Sequence, residues 1–175
     1  MEINGLNRDL TPNPKYKKPR DTRPSPFIAE CLEEIISPPK IHSIDIPCGF
    51  GRHAILLASM GYEVLCADRN FEALCDISSY FSERIHPVYL DATKALPFKD
   101  GSLGIAIIVH YTQPGFISKI AKLLAPGGYL LYETFGGQGR NWEKLPSRGE
   151  TVSELGKFFK VIKCRERHVG PIQNQ

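Results

Sequence analysis

Ile44-Asp45-Ile46-Pro47-Cys48-Gly49-Phe50-Gly51-Arg52 is the stretch that decides the fold of this 175-residue chain. A short apolar run ends in an acid, a tight glycine loop follows, and the next residues open a helix. Gly49 and Gly51 let the backbone turn sharply and come close to a ligand. The N–H groups at the start of the helix then point at the bound molecule. With Ala54 in third place, Gly49-x-Gly51-x-x-Ala54 also satisfies the dinucleotide fingerprint. Asp45 separates the readings. Beside a diphosphate its carboxylate would face like charge. Beside an amino-acid-like cofactor it can take a charge-assisted hydrogen bond from the ammonium, directly or through water. The plainer alternative is an acid that holds the turn through backbone N–H groups.

Two more acids follow the same pattern. Tyr62-Glu63-Val64-Leu65-Cys66-Ala67 reads as a buried strand with Asp68 at its carboxyl end, 17 positions after Gly51. That is close to where an acid should meet ribose hydroxyls, and a carboxylate can accept from both. Asp68 could instead cap the next helix, but Asn70 can serve as that cap and free Asp68 for a ligand. Ile85-His86-Pro87-Val88-Tyr89-Leu90 reads as a strand, and Asp91-Ala92 follows it. There a carboxylate can accept from an adenine amino group while the Ala92 N–H donates to a ring nitrogen. Open α/β sheets bind ligands at the carboxyl ends of their strands. Three acids at three successive ends therefore point to S-adenosylmethionine (SAM).

These pieces resemble the class I SAM-dependent methyltransferases. The resemblance rests on Asp45 to Arg52, Gly61 to Asp68, Asp91-Ala92 with Leu96 to Ser102, and Leu124 to Leu130, in family order over about residues 25–168. Within the class the chain is similar to the small tellurite-resistance and thiopurine-type branch. The cues are Gly49-x-Gly51-Arg52-His53, Pro24-Ser25-Pro26-Phe27 and Tyr132-Glu133-Thr134-Phe135. The resemblance implies that Asp45, Gly49 and Gly51 line the methionine side, Asp68 the ribose, and Asp91 and Ala92 the adenine. Cys48 in the loop and Arg69 beside Asp68 are carried with the cofactor set, and S-adenosylhomocysteine is the expected product. Two departures stand out. Pro47 replaces a frequent Gly, and it fixes φ and removes an N–H. The family also closes with an antiparallel hairpin. Here Phe159 to Arg165 could be its first strand and Gly170-Pro171 its turn, with the last strand missing or short. An open sheet edge would favour dimers.

The chain is long enough for one domain with a real core. Its hydrophobic fraction, 42%, is ordinary for a globular protein. No apolar run reaches membrane-spanning length, and the N-terminus has no apolar signal core, so the expected location is cytoplasmic. Five cysteines, with no pair in CxxC spacing, argue against a disulfide framework or a zinc site. Cys48 could pass for a nucleophile, though a small residue fitting the loop is the simpler reading. A net charge of +3 is too small to argue for nucleic acid. The charge is concentrated at Arg8, Lys15, Lys17, Lys18, Arg20 and Arg23, among prolines 12, 14, 19 and 24. Residues 1–23 are therefore read as a flexible basic tail, with a lid that folds over the substrate or an arm that touches an anionic substrate as the alternatives. Residues 24–175 are read as the SAM-binding domain.

Within that domain, Phe27 to Ile36 has amphipathic helical spacing and Pro38-Pro39 ends it. Strands are expected near 41–46, 62–67, 87–90, 105–109 and 129–134. Helices are expected near 52–60, 70–82, 114–124 and 151–158, with Gly61 closing the first of these. Residues 136–149 read as a glycine-rich loop. Alternating strands and helices predict an α/β, Rossmann-like three-layer sandwich with a mostly parallel sheet and a C-terminal hairpin that is incomplete.

His110 and Tyr111 follow the fourth strand on the same sheet edge as the acids. The resemblance places them near the transferred methyl, His110 also beside the cofactor. His110 can act as a base at neutral pH or stand as a wall residue; Tyr111 can hydrogen-bond or stack. Arg140, Asn141 and Trp142 could cover the substrate. The leading expectation is in-line methyl transfer to a heteroatom of a small molecule, without a metal, by a monomer or homodimer. The alternatives are a SAM-binding regulatory or scaffold protein and an NAD-dependent oxidoreductase. Val109-His110-Tyr111-Thr112 lacks the Asn/Asp-Pro-Pro-Tyr pattern that base-amino methylation would need.

Overall fold

The computed structural model describes residues 23–35, 38, 42–77, 83–136 and 145–166. Ten elements follow along them, helix and strand alternating except that β4 comes directly after β3: α1 (Pro26–Glu33), β1 (His42–Asp45), α2 (Arg52–Ser59), β2 (Glu63–Asp68), α3 (Phe71–Ile77), β3 (Ile85–Tyr89), β4 (Leu103–Val109), α4 (Phe116–Leu123), β5 (Leu124–Glu133) and α5 (Glu150–Gly156). The strands form one sheet in the order β3-β2-β1-β4-β5. Every neighbouring pair is parallel. The chain leaves β1 towards β2 and β3, then returns on the other side as β4 and β5. The carboxyl ends of β1 and β4 therefore flank the point where strand order reverses, the place where such sheets bind ligands.

Side chains alternate across the pleat, so each strand feeds two cores. Ile105 and Ile107 of β4 pack with Val64, Cys66, Leu131 and residues of α1, α2 and α3. Ala106 and Ile108 pack on the other face with Ile44, Ala67 and Phe116, Ile120 and Leu123 of α4. Six of the seven β4 residues are buried, as a central parallel strand requires. This is the three-layer sandwich that the alternating pattern predicts.

Three expectations change. The helix expected up to Leu124 ends at Leu123, and β5 starts at once, with an irregularity in its pairing between Leu103 and Ile105. Gly128 lies in this crowded stretch, where a Cβ would sit 2.9 Å from the Ala125 carbonyl. The segment 159–165 is not a strand. Phe159 packs on the α4-side core. Beyond it, Lys163 pairs with Glu30 and Glu34 at 2.6 Å each, and Arg165 pairs with Glu30 at 3.0 Å and lies over the Phe27 ring. The cations of this segment find the acidic side of α1 instead of a sheet edge. Among the described residues no strand pairs with the outer side of β5. The expected turn at Gly170-Pro171, residues 78–82 of the third helix and the tail before residue 23 lie outside the described residues.

Candidate active site

The glycine loop is tied to both strands beside β1. The Ile46 N–H donates to the Ile107 carbonyl of β4 and the Cys48 N–H to the Ala67 carbonyl of β2, each at 3.0 Å. Pro47 sits between these two donors in a cis peptide, where its missing N–H costs neither contact. Gly49 and Gly51 both have left-handed backbone, φ 53° and 72°. Their surroundings differ. A Cβ on Gly49 would meet nothing within 4 Å, whereas one on Gly51 would lie 2.9 Å from two carbons of Ile77. Gly51 lets the start of α2 pack on α3; Gly49 leaves the approach from above open.

The three acids lie at strand ends as expected, with different duties. Asp45 is 1% exposed and accepts the Ala54 N–H, in the first turn of α2, at 3.1 Å. Gly51 caps that helix without a side chain, and Asp45 satisfies one donor in its place. Burial pushes the Asp45 carboxyl up to about 7, against the pull of the Ala54 N–H and Arg52. Asn70 caps α3 as foreseen, its side chain accepting the Ala73 N–H at 3.2 Å. Asp68 is nevertheless not freed. Its two oxygens accept the Gly49 and Asn70 N–H groups at 2.8 Å each, so it braces the glycine loop. Asp91 accepts the Thr93 N–H at 2.9 Å, and bonds from Thr93 hold its carboxyl below the usual range.

Asp68, Arg69, Asp91 and Ala92 line one cleft of about 390 Å³, walled by Pro47, Ala67, Leu90, Thr93, Tyr111 and Gln113. Its size suits a nucleoside. Two carboxylates beside the apolar walls of Pro47, Ala67 and Leu90 fit a diol and an adenine amino group. They do not fit a pyrophosphate. The Gly49 and Ala54 N–H groups, which a dinucleotide would need, already serve Asp68 and Asp45. The residues present therefore fit the adenosine of SAM and disfavour the oxidoreductase.

His110 and Tyr111 part company at the end of β4. His110 has φ 58°, a left-handed conformation costing about 1–3 kcal/mol in a non-glycine residue. The Tyr111 side chain lines the first cleft, packs edge-on against Phe116 and donates to Gln113. The His110 ring stacks flat on Phe135, centroids 4.1 Å apart, and lines a second cleft of about 320 Å³ with Arg23, Pro24, Ser25, Pro26, Arg52 and Glu133. Burial lowers the His110 pKa, and Glu133 opposes that shift.

Ser25 joins three elements beside this cleft. Its hydroxyl accepts the Ile28 N–H at the start of α1 and donates to the Glu133 carboxylate of β5, while its own N–H donates to His53 Nε2 at 3.1 Å. His53 is an acceptor here and must be neutral. Burial, with Arg52 and His110 nearby, lowers its pKa to about 4. In the unfolded chain it takes a proton near 6.5, so its contribution is full above that pH and is lost as pH falls towards 4. Asp45 acts in the opposite sense, because its raised pKa favours the folded state at low pH and this is lost as pH rises through 7. Asp45→Asn should accordingly be more stable than wild type at pH 8, by about 1–2 kcal/mol, with the gap closing by pH 5. Urea denaturation at the two pH values checks this; equal destabilisation at both would contradict it.

The proposed set is thus not one surface. Cys48 is 6% exposed, and its thiol packs in the core, its pKa raised by Cys66 and by burial. It has neither the access nor the ionisation of a nucleophile. Arg140, Asn141 and Trp142 lie outside the described residues. Ser25 and Glu133 carried no role in the sequence reading. Their motifs were visible as family cues, but the contact between them spans 108 positions and only the fold makes it.

Residues 44–128 match the model of the family described as "Methyltransferase domain". The chain has the fold of the SAM-dependent methyltransferases. It is similar to a SAM-dependent methyltransferase from Aquifex aeolicus, with 16% identity, TM-score 0.60, and 74% of this chain covering 77% of that one. It is also similar to a S-adenosylmethionine-dependent methyltransferase from Mesorhizobium loti, with 18% identity, TM-score 0.60, and 73% covering 78%. A third is the geranyl diphosphate C-methyltransferase of Streptomyces coelicolor A3(2), solved with Mg2+, geranyl diphosphate and S-adenosyl-L-homocysteine, at 15% identity and TM-score 0.61. There 74% of this chain spans 59% of that one. No curated protein matches the chain. Asp68, Asp91 and Ala92 converge on the first cleft.

Proposed function

We propose that the chain is a SAM-dependent methyltransferase that methylates a heteroatom of a small molecule. The observation that supports this most is the convergence of Asp68, Asp91 and Ala92 on one nucleoside-sized cleft, bordered by Tyr111. Asp68 accepts from the ribose, Asp91 and Ala92 recognise the adenine, Arg69 walls the cleft, and Gly49 lets the backbone come close. Asp45 lies buried beneath the methionine side and holds the start of α2 through the Ala54 N–H. SAM supplies a methyl group on an already activated sulfonium, so the chain's task is positioning and exclusion of water.

His110 stands at the border of the two clefts and is neutral at pH 7, so its imidazole can take a proton from the attacking group. Tyr111, whose hydroxyl pKa is raised by burial and by Asp91, stays a donor. The tellurite-resistance and thiopurine-type branch remains the finer reading, and it suits a soft or aromatic nucleophile. The proposal includes a monomer or homodimer in the cytoplasm, with a small-molecule acceptor as its partner.

The experiment is S-adenosylhomocysteine release from SAM with panels of thiols, phenols and amines. Turnover with one class is expected, and His110→Gln should lower kcat by about 10²–10⁴-fold, far more than it weakens product binding. Tight product binding with no turnover across the panels would favour a regulatory SAM-binding protein instead.

A further inference from the structure

Asp45 and Asp68 each precede a helix that helps to hold them. α2 offers Asp45 the Ala54 N–H, and the turn into α3 offers Asp68 the Asn70 N–H. Asp91 has no such helix, because residues 90–102 join β3 directly to β4. The turn that brings Asp91 and Ala92 to the first cleft must be held from elsewhere in the fold.

Burial does part of this. Ala92 is 8% exposed and belongs to the core with Phe116, Ile120 and Leu123 of α4, and Leu90, Leu96 and Phe98 pack on the same core. Apolar contacts set the depth of the turn, but they do not aim its peptide groups. Lys119 of α4 supplies that. Its ammonium donates to the Thr93 carbonyl at 3.3 Å and to the Lys94 carbonyl at 3.0 Å. These bonds carry a full charge on the donor, which strengthens them.

The same two residues hold Asp91 from their other side. The Thr93 N–H donates to the Asp91 carboxylate at 2.9 Å, and the Lys94 N–H donates to the Asp91 carbonyl at 3.0 Å. The Thr93 carbonyl and the Lys94 N–H belong to one peptide unit, which is planar and trans. Lys119 therefore grips one edge of a rigid plane whose opposite edge grips Asp91. Lys119 itself is not among the residues that line the cleft.

We propose that Lys119 is a positioning residue for recognition of the base: by holding the Thr93 and Lys94 carbonyls it aims the Asp91 carboxylate and the Ala92 N–H at the edge of the adenine. This rests on the SAM reading above. The role belongs to α4, the helix after β4, and compensates for the helix that β3 lacks.

The test compares S-adenosylhomocysteine with its inosine counterpart, in which an oxygen replaces the adenine amino group. In that probe an oxygen would face the Asp91 carboxylate and a ring N–H would face the Ala92 N–H, so both partners are reversed. Calorimetric affinities are measured for wild type, Lys119→Met and Lys119→Arg. Wild type should prefer the adenine probe by about 10–100-fold. Lys119→Met, which keeps the apolar stem, should lose about 5–20-fold of the affinity for the adenine probe and less than about threefold for the inosine probe. Lys119→Arg, which can still donate to both carbonyls, should stay within about threefold of wild type. Equal losses for both probes in Lys119→Met would mean a general structural effect and overturn the assignment. Unchanged affinities in that variant would overturn it too, as would a wild type indifferent to the base. Failure of both probes to bind wild type would overturn the cofactor reading itself, a result distinct from the other three.

Discussion

Gly51→Ala destabilises the protein by about 2–5 kcal/mol. Two costs combine. The residue holds φ 72°, where an L side chain pays about 1–2 kcal/mol. Its new Cβ would lie 2.9 Å from two carbons of the buried Ile77, and overpacking of that kind costs about 1–3 kcal/mol. Ile77 is fully buried in the core shared with α2, so it has little room to move away. Gly49→Ala is the internal control. It carries a similar φ but an open Cβ position, so its stability loss should stay near 1 kcal/mol. Its effect should fall on ligand binding, because the added methyl points where the cofactor approaches. Chemical denaturation and product titration of both variants check the pair. Equal stability losses would show that the contact with Ile77 is relieved by a shift of α3.

Asp68→Ala abolishes cofactor binding in practical terms, by about 100-fold or more. The carboxylate faces the nucleoside cleft and would accept from the ribose, so its loss removes charge-assisted bonds that no neighbour replaces. It also leaves the Gly49 and Asn70 N–H groups without the acceptor they each use at 2.8 Å. Stability should therefore drop by about 2 kcal/mol as well. Gly51→Ala separates these effects. It should lose at least as much stability, yet its folded fraction should retain affinity within about tenfold. Product titration below the unfolding transition of each variant makes the comparison. Wild-type affinity in Asp68→Ala would remove ribose recognition from this residue.

The fold was legible because each strand announced itself locally. Ile105 to Val109 is apolar throughout, and the acids at 45, 68 and 91 mark where three strands stop. Asp68 closes β2, and Asp91 and Ala92 come just after β3, so their meeting in one cleft follows from local strand ends. The other side depends on contacts made at long range. Ser25 meets Glu133 and His53 only once α1 is laid across the sheet, and nothing in the residue type of His110 announces its left-handed turn. The expected strand at 159–165 failed for a related reason. Phe159, Val161 and Ile162 are residue types that suit a strand, but Glu30 and Glu34 at α1 give Lys163 and Arg165 partners that a sheet edge does not. Asp68 shows the opposite lesson. Finding a separate cap for α3 does not release an acid whose two oxygens also hold the loop.

The most direct test of the central claim is calorimetric titration of the purified wild-type chain with S-adenosylhomocysteine, with NAD titrated in parallel. One site with a Kd of about 1–100 µM for S-adenosylhomocysteine and no heat from NAD are expected. Binding of NAD without S-adenosylhomocysteine would contradict it, because the carboxylates of Asp45 and Asp68 would then be sharing the glycine loop with a pyrophosphate.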